Sequence, residues 1–276
     1  MNIRYAPILM ILFLISSVPN AIAQEEDLDV PYVPTPQIVV EKMLDMANIG
    51  QGDYVMDLGS GDGRIVIAAA KRGATGLGVD LDPERIGEAR NNARENNVTD
   101  RVMFKQQDIF KTDISSASAI TMYLLSSVNR QLRPTLMENL DPGTPVVSHR
   151  FDMGDWEADS VYTVTVDDRS HSVYLWIIPA EAGGEWSWET GDMDFNMSVE
   201  QSYQEIEPEL KADGNTLNIQ YSVLRGKRIT IKAKEGAQDY LFSGTIEGNT
   251  IKGAAHVRSN METRVMNWEA SRDTSY

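Results

Sequence analysis

The chain has 276 residues, room for one large domain with a small one or for two of modest size. Hydrophobic residues at 42% and charged residues at 24% are ordinary for a globular protein with a buried core. A formal net charge of −16 argues against nucleic acid as a default partner, which needs clustered Lys and Arg, and the lack of cysteine excludes disulfides, a thiolate nucleophile and a cysteine metal site.

Arg4 precedes the apolar run Ala6 to Val18, and Ala21-Ile22-Ala23 supplies small residues at a cleavage position. Residues 1–23 therefore read as a signal peptide cut before Gln24, which makes the protein exported and periplasmic. The run is short for a bilayer span, so no stable span is expected after cleavage; an uncleaved N-terminal tether is the alternative.

Residues 24–34 are acidic and proline-bearing and read as extended chain. Thr35 as N-cap and Pro36 at the first helical position predict a helix start. Ile38, Val39, Met43, Leu44 and Met46 then recur at helical spacing up to Gly50. From Tyr54 strands alternate with helices: strands over 54–58, 76–81, 102–107, 119–124 and 145–150, and helices over 65–71, 83–97 (capped by Asp82) and 129–140. This order predicts a mostly parallel sheet with right-handed crossovers. Two further strands, 160–166 and 172–178, flank the polar turn Asp167-Asp168-Arg169-Ser170 and close the sheet with a hairpin. Past residue 183 the pattern shifts to short alternating runs separated by turn signals such as Asp213-Gly214-Asn215 and Glu247-Gly248-Asn249. Residues 24–183 thus read as an α/β domain, and residues 184–276 as a small antiparallel barrel or sandwich. Trp186, Trp188 and Trp268 read as its core.

The segment from Val55 to Arg64, VMDLGSGDGR, leaves a strand, turns on glycines and enters a helix. Arg64 stands where the last glycine of a dinucleotide fingerprint would follow Gly59 and Gly61. The spacing of Asp57, Gly59, Gly61 and Gly63, with Ser60 between, instead suits a ligand with a charged amino-acid tail. Asp80, followed by Leu81, ends the second strand, where a carboxylate can accept two ribose hydroxyls. Asp108 follows the third strand, placed to take an adenine amino group while Ile109 or Phe110 packs on the ring. Features at the carboxyl ends of three successive strands form one crevice. Each has a plainer reading, Asp57 as a turn cap and Asp108 as a loop start; their coincidence favours the crevice.

These motifs resemble those of the class I, seven-stranded, Rossmann-like S-adenosylmethionine (SAM)-dependent methyltransferases, over roughly residues 31–180. The resemblance implies that Asp57 and Gly59–Gly63 hold the methionine part of SAM, Asp80 the ribose and Asp108 the adenine. PYVPTP at 31–36, DLGSGDGR at 57–64 and SHRF at 148–151 look like the subgroup that contains the mitochondrial protein-lysine methyltransferases and bacterial relatives. That likeness implies that residues 31–36, with Tyr32 and Thr35, fold over the cofactor, and that the acceptor is a protein lysine. The tetrapeptide of amide or adenine-N6 methylation is absent: Met122-Tyr123-Leu124-Leu125 occupies its place, with Tyr123 either lining an acceptor channel or filling the core. His149 ends the fifth strand as a proton relay or a structural residue, the latter being favoured. No acid–base dyad is expected, and His149, His171 and His256 are too scattered in sequence for a metal. Neither the acceptor nor an oligomeric state is written in these motifs. A non-catalytic adenosyl-ligand-binding protein that keeps the fold, and a small-molecule methyltransferase, are the other readings.

Overall fold

A computed structural model describes residues 33–259 and 262–273. The signal-peptide reading and Tyr32 lie outside the described residues. The first unit is a seven-stranded sheet, in the order β3-β2-β1-β4-β5-β7-β6. Its strands are β1 (Tyr54–Leu58), β2 (Thr75–Asp80), β3 (Val102–Gln106), β4 (Ala119–Met122), β5 (Pro145–His149), β6 (Ser160–Val166) and β7 (Arg169–Ile177). The helices are α1 (Gln37–Met46), α2 (Arg64–Lys71), α3 (Pro83–Glu95) and α4 (Ser126–Asn139). Strands β1 to β5 pair in parallel, whereas β7 runs antiparallel to both β5 and β6. Strand β1 is central and apolar almost throughout because helices cover both of its faces.

The alternation along each strand sorts residues onto two faces. Val55, Ala119 and Val147 pack with Val39, Val40, Met43 and Leu44 of α1 and with Ile65 and Ala69 of α2. Met56, Leu58, Ile120, Met122 and Val146 face Leu132 and Leu136 of α4. Asp57, Thr121 and His149 fall by parity on the α1 face. This decides which side of the sheet carries the polar groups described below.

Three local readings are corrected. Helix α1 is capped by Pro36 without a side-chain bond, so Thr35 is not its N-cap. Ile38 is 57% exposed, and Val40 takes its place in the core. The β6–β7 turn is only Asp167-Asp168, both at positive φ (47° and 59°), so Arg169 and Ser170 belong to β7. Two left-handed residues are what a tight hairpin needs, and Asp tolerates that region. Asp82 does cap α3, accepting from the amides of Glu84 and Arg85.

From Gly184 onward every strand is antiparallel: β8 (Gly184–Thr190), β9 (Met193–Ser202), β10 (Glu205–Ala212), β11 (Asn215–Thr216), β12 (Asn218–Arg225), β13 (Arg228–Glu235), β14 (Gln238–Glu247), β15 (Thr250–Arg258) and β16 (Thr263–Arg272). They make one sheet, β11-β10-β9-β8-β16-β15-β14-β13-β12. Its ends curl towards each other, and Ser222 Oγ of β12 donates to the Ile206 carbonyl of β10 at 3.0 Å. The result is a nearly closed barrel rather than a sandwich. Trp188, Phe195, Tyr240, Phe242 and Trp268 meet at its centre, with Trp188 and Phe195 stacked at 5.3 Å. About eight strands leave an interior that such side chains fill.

The two sheets touch through short loops. Gly226, in the β12–β13 turn, has φ 56°, and a Cβ there would lie 2.9 Å from Gly143 Cα and 3.2 Å from Ile177 Cγ2. The Gly226 carbonyl accepts from the Ala180 amide at 2.9 Å. Gly248 has nearly the same φ, 59°, but open space around a Cβ. Alanine at Gly248 should therefore cost only the backbone strain of about 1 kcal/mol. Alanine at Gly226 should cost at least twice that, read as the difference between the two variants in urea unfolding. Equal losses would mean that the junction yields freely.

Candidate active site

The glycine turn between β1 and α2 is built for close packing. Gly59, Gly61 and Gly63 have φ of 79°, 50° and 79°. A Cβ on Gly59 would sit 2.8 Å from Leu124 Cδ2, and one on Gly63 would sit 2.6 Å from Phe104 Cζ. Glycine is required at both positions on two counts, conformation and space. The Gly59 and Ser60 amides each donate to the Val79 carbonyl at 2.9 Å. Asp80 completes the frame: Oδ2 accepts from the Gly61 amide at 2.8 Å, and Oδ1 accepts from the Asp82 amide at 3.0 Å. Each of those oxygens keeps a further lone pair for another donor.

Acidic groups converge around this frame. Asp57 is 2% exposed and accepts from Thr121 Oγ1 at 2.7 Å. Burial pushes its pKa up to about 7; the Thr121 hydrogen bond opposes the rise, while the charges of Asp80 and Asp62 add to it. Asp62, also buried, pairs with Arg64 at 2.5 Å, and Arg64 Nη1 donates to the Thr35 carbonyl at 2.8 Å. Ser60 Oγ is buried without a hydrogen-bond partner among the described residues.

Asp108 lies beside Asp80, since the Gln107 amide donates to the Asp80 carbonyl at 3.0 Å. Burial raises the Asp108 pKa, but the Phe110 amide and Lys111 Nζ at 3.0 Å outweigh it and hold the carboxyl below its usual range. Ile109 is half-buried against the core, Leu81 is half-buried beside Asp80, and Phe110 is 38% exposed. The sequence-selected Asp57, Gly59, Ser60, Gly61, Gly63, Asp80, Leu81, Asp108 and Ile109 therefore lie at or just beyond the carboxyl ends of β1, β2 and β3.

The other wall comes from β4, β5 and β7. Tyr123 is half-buried, its ring 4.0 Å from that of His149 and 5.9 Å from that of Phe151. Thr35 is 4% exposed, and its Oγ1 lies 3.1 Å from His149 Nδ1. His149 Nε2 lies 2.9 Å from His171 Nδ1. Two of the three histidines, distant in sequence, thus meet in space, and His256, on β15, stands apart. Among the described residues no group of three or more His, Asp or Glu is placed to hold a metal ion. His171 escapes sequence reasoning because it lies diagonally across the antiparallel pair, two residues from Val173, the register partner of His149. Thr121, Asp62 and Arg64 escape it too. Only the β1–β4 register, which sets Thr121 opposite Asp57, singles out the threonine.

A family model for the ANTKMT methyltransferase domain matches residues 57–160. A protein-lysine N-methyltransferase of Saccharolobus islandicus is 46% identical over 151 residues, 54% of this chain and 94% of that protein. The adenine nucleotide translocase lysine N-methyltransferase of Mus musculus is 34% identical over 49% of this chain, a match that spans only 58% of the mouse protein. Among solved structures, an RNA methyltransferase from Salinibacter ruber in complex with S-adenosyl-L-homocysteine is 53% identical, with a TM-score of 0.51, over 54% of this chain and 95% of that one.

Asp57 keeps its proton to a higher pH folded than unfolded, because its folded value of about 7 lies above the ordinary carboxyl value of 3.8. Its contribution to stability is therefore complete below about pH 4 and is lost as pH rises towards 7. Asp57→Asn should remove that loss. Its stability relative to the parent chain should rise by up to about 1.4 kcal/mol per pH unit across this window in urea titrations. A constant difference between the two would mean that Asp57 ionises normally.

Proposed function

We propose a protein-lysine acceptor for this chain, which belongs to the SAM-dependent methyltransferase family defined by the ANTKMT methyltransferase domain. The observation that carries the reading is the 46% identity along nearly the whole of a protein-lysine N-methyltransferase. No helix of the described residues is long and apolar enough to cross a membrane.

The crevice fits the cofactor. Asp80, the Arg64-paired Asp62 and Asp57, whose carboxyl burial and those neighbours keep protonated to a higher pH, gather where a cationic ammonium and sulfonium would favour the ionised forms, and the unpartnered Ser60 hydroxyl offers a further polar contact. When bound, SAM would supply an electrophilic methyl group on a sulfonium. Asp57 and the glycine turn would hold the amino-acid end, Asp80 would take the ribose hydroxyls, and Asp108 would take the adenine amino group. Leu81 and Ile109 pack against the adenosyl part. The segment that contains Thr35 would cover the pocket, and Tyr123 would line the approach of the acceptor amine. The chain's own contribution to rate is alignment and exclusion of water. Residues 1–23 act as an export signal, so mature protein begins at Gln24.

A second reading, RNA as acceptor, is favoured by the likeness to the Salinibacter RNA methyltransferase, while the net charge of −16 stands against it. Radiolabelled methyl transfer into a cell-envelope extract separates the two: protease-sensitive label recovered as methyl-lysine supports the protein acceptor, and ribonuclease-sensitive label overturns it. By calorimetry, Asp80→Ala should weaken SAM binding about tenfold or more, through loss of charge-assisted bonds. Affinity of the parent chain should also fall as pH drops below about 7, because a cationic ligand must displace the Asp57 proton. Affinity unchanged by both would remove these carboxylates from the site.

A further inference from the structure

We propose that Thr35, His149 and His171 form a proton wire that carries the acceptor's proton from the crevice to solvent. The inference rests on the methyl-transfer reading, because an amine acceptor must shed one proton for each methyl it accepts.

The geometry is that of a reversible chain. His149 is fully buried, and both of its ring nitrogens are engaged: Nδ1 with the Thr35 hydroxyl at 3.1 Å, and Nε2 with His171 Nδ1 at 2.9 Å. A buried structural imidazole needs only a fixed donor on one side and a fixed acceptor on the other. Here both partners, a hydroxyl and an imidazole, can donate or accept. The two directions of the chain are therefore equally satisfied, and it can invert without orphaning a buried group. One end lies in the crevice, since the Thr35 carbonyl is held by Arg64 and the Tyr123 ring lies 4.0 Å from His149. The other end is half-exposed His171 on β7.

The groups facing His149 are Thr35 ahead of α1, Tyr123 on the β4 side, Arg150 next along the chain and His171 on β7. Burial first, and then the charges of His171 and Arg150, lower the His149 pKa to about 4. His149 thus relays a proton at neutral pH without storing one. In the step, an N–H bond of the acceptor ammonium breaks and its electron pair stays on nitrogen. The proton passes to Thr35 Oγ1 as the threonine's own proton moves to His149 Nδ1. The Nε2 proton of His149 moves to His171 Nδ1, and His171 releases one proton to water. The wire ends with its original charge, and the amine is left with the lone pair that attacks the methyl.

The chain has only three histidines, so nitrogen-15 imidazole spectra of the whole protein can be assigned with His256→Asn and His171→Asn. His149 should stay neutral from pH 8 to about 5, and Thr35→Val should shift its tautomer balance while Thr35→Ser does not. A His149 charged at neutral pH, or a tautomer indifferent to Thr35→Val, overturns the wire. In methyl transfer to poly-L-lysine, His171→Ala should lower kcat about tenfold near pH 7 at unchanged KM. It should converge on the parent chain above about pH 11, where the amine is already largely neutral, and added imidazole should restore it at pH 7. His256→Ala should change nothing. A loss of equal size at every pH, with cofactor binding by calorimetry intact, overturns the wire alone. Failure of the parent chain to bind cofactor overturns the methyltransferase reading together with it.

Discussion

A single carboxylate holds the crevice in shape. Asp80 receives the Gly61 amide on one oxygen and the Asp82 amide on the other, tying the first crossover turn to the start of the second. Through that contact the glycine turn keeps its three left-handed residues, and α2 begins where Arg64 can reach both Asp62 and the Thr35 carbonyl. Thr35 in turn sets its hydroxyl against His149. The residues ahead of α1, the turn and the end of β5 are thus one connected assembly, although they come from distant parts of the chain.

The β alternation explains why the polar groups collect on one side. Asp57 and Thr121 are register partners on adjacent strands, and His149 falls on the same face of β5. That face is covered by α1 and α2. Burial without full apolar packing is the setting in which a carboxyl and an imidazole both favour their neutral forms, and both do here. The opposite face, under α4, is nearly all hydrocarbon and serves as the mechanical core.

The sheet was readable because a parallel strand buried on two faces is mostly apolar, and Tyr54–Leu58 and Ala119–Met122 are so apart from Asp57 and Thr121. Asp82 was readable as a cap because Pro83 follows it, and capping is a local matter. The convergence of Asp57, Asp80 and Asp108 was readable because the topology of parallel strands fixes which ends meet. What escaped depends on pairing across distance. Thr35 has the local pattern of an N-cap, yet its hydroxyl is claimed by a histidine more than a hundred residues away. His171 belongs to the site only through a diagonal across the β5–β7 pair, and nothing near it in sequence marks that register. Closure of the barrel depends in the same way on two strands, β10 and β12, that share only an edge contact.

The approach of Gly226 to Gly143 has a consequence for traffic. Gly143 and Ile177 lie at the end of the sheet where β5 begins, whereas the crevice opens where β1, β2 and β4 finish. The remaining bonds between the two units, such as Trp156 to Gln204 and Arg133 towards Tyr203, gather on the α4 side. The barrel is therefore fastened to the rear of the catalytic sheet, like a handle behind a blade. Among the described residues the barrel stands clear of the front, so its strands leave the approach to Tyr123 uncovered.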